Sequence, residues 1–133
     1  MQKTVISRHV SGSAFDAELD GHVIRFDDQD GNSGPRPKAI ILNSLAICSG
    51  FDVVPILNKM KVAFSDFHIV ATADQSEGTP MVYTAIHLEF KIKIAPENHI
   101  KMERAVKLSI EVYCGVYAML IKVCPITYSI TYL

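Results

Sequence analysis

The sequence predicts an α+β fold, with a mainly antiparallel sheet around one long, buried central helix. Three observations lead there. Short alternating runs separated by turn residues open the chain. An almost wholly apolar run, too long for a strand, covers residues 39–57. A strict period-two alternation covers residues 82–94, and helical patterning follows it.

In order, "KTVISRHV" is a strand, "SGS" a turn and "AFDAEL" a second strand. Asp20-Gly21 makes a hairpin turn, because both residue types tolerate the positive φ that tight turns need. "HVIRFD" is the third strand, and "DQDGNSGPRP" is a loop too short to separate domains. Pro37 opens the central helix, where a missing N–H costs nothing. Apolar residues fall on all its sides, so it should be buried all round, against sheet or against a partner subunit. Pro55 removes a helical donor and clashes with the carbonyl of Phe51, which predicts a break or kink between Gly50 and Pro55. Cations in "NKMK" suit the helix end.

"SDFHIVATAD" is the next strand. In the alternating strand, Val82, Thr84, Ile86, Leu88, Phe90, Ile92 and Ile94 share the buried face, and Lys91 and Lys93 lie on the wet one. "PENHIKMERAVKLSIEVYC" is a second helix, with Pro96 in its first turn and Glu97–Lys101 and Glu103–Lys107 pairs. Gly115 interrupts it, "VYAMLIKV" is a shorter helix, and "ITYSITYL" is a last strand.

The 133 residues suit a single domain, 1–133. At 49% hydrophobic, so short a chain has little interior for its apolar side chains, which suggests burial against a second copy. A formal charge of −1 gives no reason to expect nucleic acid or an anionic membrane as partner. The opening residues lack a signal core, and no uninterrupted apolar run reaches the about 20 residues needed to span a bilayer, so the expected location is cytoplasmic.

The chemistry rests on cysteine. Cys48, Cys114 and Cys124 form no C-x-x-C pair, and an odd count without a secretory signal argues against a structural disulfide framework. Cys48 and Cys114 each lie within or at the end of a helix, beside serine or glycine, so two helices could bring the sulfurs together. A free cysteine also packs readily as a small buried hydrophobe, and pattern alone leaves both readings open. Cys124, before a proline at a helix end, is the weaker candidate. His68 and His87 lie in strands among polar neighbours without ligand-spaced partners, and His9, His22 and His99 read as surface residues. Asp27, Asp28, Asp30 and Gly31 lack the rest of a calcium-loop pattern and read as a turn. No metal or cofactor motif is present, so none is expected.

"GPRPKAIILNSLAICSGFDVVPILNKM" and "ERAVKLSIEVYCGV" together resemble the two signatures of the OsmC/Ohr family, the osmotically inducible protein C and organic hydroperoxide resistance proteins. The resemblance lies with its OsmC-like branch of predicted redox proteins, and "FDAELDGHVIRFD" and "PITYSITYL" extend it over nearly the whole chain. It implies an OsmC-like fold, an intertwined homodimer with sites at the subunit interface, and thiol peroxidase activity. Cys48 matches the peroxidatic cysteine and Cys114 the resolving one. The implied partners are a small organic hydroperoxide and a dithiol reductant. Family peroxidases activate the thiol with an arginine from the N-terminal strands, held by a glutamate at the helix start. Here the glutamate slot falls at Lys38 or Ala39 and the arginine slot near Ser11-Gly12, leaving Arg8 or Arg36 to act by another route. That departure motivates the alternative of a non-catalytic dimeric binding module for a small apolar or thiol-reactive ligand.

Overall fold

A computed structural model describes residues Met1–Leu133. The chain forms two compact units, Met1–Ile41 and Leu42–Leu133. The first holds the meander β1 (Ile6–Ser11), β2 (Ala14–Leu19) and β3 (His22–Phe26), antiparallel throughout. Asp20 and Gly21 both take positive φ, 50° and 78°, as the hairpin reading requires. After β3 the chain turns around Asp27. This carboxylate accepts from Ser13 Oγ at 2.6 Å, Asp28 N at 2.8 Å, Ser33 N at 3.0 Å and Ser33 Oγ at 2.5 Å. Glycine is required nearby at Gly34, where a Cβ would run into the Arg25 carbonyl.

α1 (Pro37–Lys59) begins in the first unit and continues into the second. The second unit adds β4 (Phe64–Gln75), β5 (Tyr83–Ile94), a 3-10 turn (Pro96–Asn98), α2 (His99–Leu108), a π-turn (Ser109–Tyr113), α3 (Gly115–Leu120) and β6 (Ile126–Tyr132). β5 is the middle strand. It pairs antiparallel with β4 and parallel with β6. There are thus two three-stranded sheets, and one of their strand pairs is parallel. The parallel pairing follows from the helical crossover between β5 and β6, since parallel neighbours need a long connection.

The alternation read in β5 holds over residues 86–92, whereas Val82 and Thr84 at its start are exposed and Ile94 at its end is half-buried. Ile86, Leu88, Phe90 and Ile92 are buried, and the residues between them are more open. They form one core with Leu45, Val53 and Leu57 of α1 and with Met102, Ala105 and Val106 of α2. Each of these side chains larger than alanine contributes about 1.5–3 kcal/mol by leaving water.

α1 differs from its expectation in three ways. Its buried residues, Leu45, Ala46, Ser49, Val53 and Leu57, make one stripe, while Ile47 and Phe51 are 52% and 76% exposed. Within one chain it is covered on one side only. It also runs uninterrupted through Pro55. Phe51 and Pro55 both lie on the wet side, where water can take up the carbonyl that the proline leaves without a donor. Finally, at 23 residues it is long and apolar enough to cross a bilayer by length and composition, which looking for apolar runs did not reveal. Scattered Asn and Ser residues shorten the runs without lowering the mean hydropathy, and a core helix meets the same test.

Candidate thiol site

Cys48 sits on α1, half-buried and packed against the core of the second unit. It lies just before the buried Ser49 and one helical turn before Asp52. α1 therefore presents a thiol, a hydroxyl and a carboxylate within about one turn of each other.

Cys114 comes from the other side of the core. α2 does not continue smoothly to it. Ser109–Tyr113 form a π-turn, closed by Cys114 N–H donating to Ser109 O at 2.8 Å. Such one-turn expansions often mark functional sites. Cys114 itself is extended, φ −75° and ψ 101°, so the interruption falls on the cysteine, and Gly115 opens α3. Its Sγ accepts the Tyr117 N–H at 3.3 Å, capping that short helix.

A buried chain of polar side chains joins the two elements. Ser109 Oγ donates to Asp52 Oδ2 at 2.8 Å, and Ser49 Oγ lies 2.8 Å from Ser109 Oγ. Ser109 has one hydroxyl proton and gives it to the carboxylate, so Ser49 is the donor to Ser109. Ser49 and Ser109 are fully buried, and both hydroxyls are satisfied.

Burial pushes the Cys114 thiol up to about 11. The Tyr117 N–H works against that shift. A hydrogen bond shared with Cys48, in which the neutral Cys114 thiol is favoured, and the negative charges of the Cys48 and Asp52 side chains add to it. Cys48 and Cys114, far apart in sequence, are therefore close enough to influence each other, with a carboxylate nearby.

Other sequence candidates lie elsewhere. Cys124 is buried in the core at the end of the turn after α3. His87 has both ring nitrogens engaged, by Thr127 Oγ1 at 2.7 Å and Ser129 Oγ at 2.9 Å, and His68 is exposed beside Asp66. No group of three His, Cys, Asp or Glu side chains converges as a metal site. Arg8 pairs with Glu18 at 2.9 Å, and Arg36 donates to Asn32 Oδ1 and Gly34 O at 2.9 and 3.2 Å, so both guanidiniums are engaged within the first unit. Sequence reasoning missed Ser49, Asp52 and Ser109. The available signal was an acid in the middle of an apolar helix.

A family model described as OsmC-like protein matches residues 29–129. The chain belongs to the OsmC-like protein family. Among its relatives, Protein YhfA of Escherichia coli strain K12 is 36% identical over 121 residues, 90% of each chain. Among solved structures, a hypothetical protein from Aquifex aeolicus VF5 superposes with a TM-score of 0.83 at 26% identity, covering 100% of this chain and 98% of the other. The organic hydroperoxide resistance protein OhrB of Bacillus subtilis shares the fold at a TM-score of 0.67 and 14% identity, with 98% of each chain covered.

Proposed function

We propose that this OsmC-like protein reduces small organic hydroperoxides through a two-cysteine cycle. The observation that supports this reading is the tie between the two cysteine-bearing elements: Ser109 donates to Asp52, one turn beyond Cys48, and its carbonyl accepts the Cys114 N–H. The roles follow from their settings. Cys48 is the more open sulfur and attacks, while the buried Cys114, held protonated near neutral pH, resolves. The Cys48 thiolate attacks the outer oxygen of the hydroperoxide, forming an S–O bond as the O–O bond breaks. The alkoxide leaves, takes up a proton and departs as the alcohol, and Cys48 becomes a sulfenic acid. Cys114 then attacks the sulfenic sulfur, water leaves, and a disulfide forms. A dithiol reductant restores both thiols by exchange.

In this reading a second copy covers the open side of α1. That side carries Ile47 and Phe51 beside a hollow of about 690 Å³ lined also by Gly50, Pro55, Phe67 and Ile69. The cycle belongs in the cytoplasm, where thiols are kept reduced. The fold shared with OhrB supports the family context, and the peroxide chemistry is our extension to this chain.

The second reading is a non-catalytic dimeric module that binds a small apolar or thiol-reactive ligand. It is favoured by Asp52, an anion that opposes thiolate formation at Cys114. Treatment with one equivalent of an organic hydroperoxide, followed by intact-mass and peptide mapping, separates the two. Loss of two hydrogens with a linked Cys48–Cys114 peptide is the expected result. Cys48→Ser should abolish fast oxidation, and Cys114→Ser should accumulate a sulfenic acid. Slow over-oxidation without a linked peptide would leave the binding reading.

A further inference from the structure

We propose that Ser109 and Asp52 form a clamp that holds the two cysteines in register for bond formation, with Ser109 as its central positioning residue. The inference rests on the reading that Cys48 and Cys114 close to a disulfide. Ser109 makes three connections at once. Its hydroxyl donates to Asp52, one turn beyond Cys48 on α1. The same oxygen accepts from Ser49, the residue next to Cys48. Its carbonyl accepts the Cys114 N–H and closes the π-turn that ends at the second cysteine. One residue is therefore bonded to the neighbours of one sulfur and to the backbone of the other.

The location strengthens the case. Both serines are fully buried in a core otherwise built from aliphatic, Phe, Met and Cys side chains. Apolar packing alone tolerates small slips between elements, whereas a hydroxyl-to-carboxylate bond fixes direction and distance. Disulfide geometry is demanding: the Cα atoms must lie within about 7 Å and the Cβ vectors must converge. A directional tie beside both cysteines suits that demand, because closing a bond between pre-aligned groups is favoured over closing it between mobile ones.

The test measures disulfide closure without any peroxide. Wild type and variants are equilibrated at pH 7 in buffers of oxidised and reduced dithiothreitol, and the linked Cys48–Cys114 peptide is quantified. Asp52→Asn keeps an acceptor oxygen for Ser109, and Asp52→Ala removes it. Ser109→Ala and Asp52→Ala should each lower the closure constant about tenfold or more, while Asp52→Asn stays within about threefold of wild type. A linked wild type with an unchanged constant in both alanine variants overturns the clamp alone. Equal losses in Asp52→Asn and Asp52→Ala also overturn it, since they would assign the effect to charge rather than position. Should Ser109→Ala fail to fold, the half-buried Asp52 pair still decides the question. A wild type that forms no link in any buffer overturns the two-cysteine reading, and the clamp with it.

Discussion

Asp27 in the first unit accepts four hydrogen bonds, while Asp52 in the second accepts one. Both carboxylates accept from serine hydroxyls, Asp27 at the turn after β3 and Asp52 in the middle of α1. Around Asp27 the donors are two hydroxyls and two backbone N–H groups, supplied by Ser13 of the β1–β2 turn and by Asp28 and Ser33 of the loop after β3. They favour the charged form, so the carboxyl is held well below its ordinary range. Around Asp52 the one donor is Ser109, and the nearby ionisable group is a thiol whose deprotonation the carboxylate opposes. A carboxylate saturated with donors anchors a fold. One left with a single donor beside a thiol instead places its charge on that thiol's chemistry.

Removing Asp27 should have the largest effect. Asp27→Ala leaves the Ser13 and Ser33 hydroxyls and two backbone N–H groups without their acceptor, and Tm should fall by roughly 10 °C near neutral pH. The pH dependence identifies the cause. A carboxyl whose folded value is depressed contributes stability above its unfolded value, about 4, and loses it as pH falls toward the folded value. The gap between wild type and Asp27→Ala in thermal melts should therefore narrow from about pH 5 to about pH 2. A gap independent of pH over that range would show that Asp27 acts through packing rather than as a charged anchor.

The two regions also differ in how much of them could be read from sequence. The Asp27 turn was legible as a turn, because Gly, Pro, Asn and Asp cluster there and the partners are close in sequence. The strands and the buried face of β5 were legible because period two is a local signal. Cys48 and Cys114 emerged through family resemblance, since spacing alone left them as possible core residues. The Ser49–Ser109 contact joins residues separated by 60 positions, and no period reports such a meeting. The π-turn before Cys114 changes the register inside what reads as one helix, so it too left no local mark. What covers the open side of α1 was not legible for a related reason: hydropathy records that a helix is apolar, not whether its own chain or a partner covers each face.

The smallest effect gives the sharpest test of the contrast. Asp52→Asn removes a charge while keeping an oxygen that can accept from Ser109. Burial is the main reason that the Cys114 thiol lies near 11, and Asp52 is a lesser contributor in the same direction. Neutralising it should move the pH profile of Cys114 alkylation, followed by peptide-resolved mass spectrometry with iodoacetamide, to lower pH. The linkage sign is opposite to that of Asp27. A thiol raised in the folded state contributes stability below its unfolded value, and loses it as pH rises through about 11. Asp52→Asn should therefore lose less stability than wild type between about pH 9 and 11, while Asp27→Ala should show no such relief. An unmoved profile, or one displaced to higher pH, would mean that the Asp52 charge does not reach the thiol. The contrast between the two carboxylates would then reduce to their number of donors.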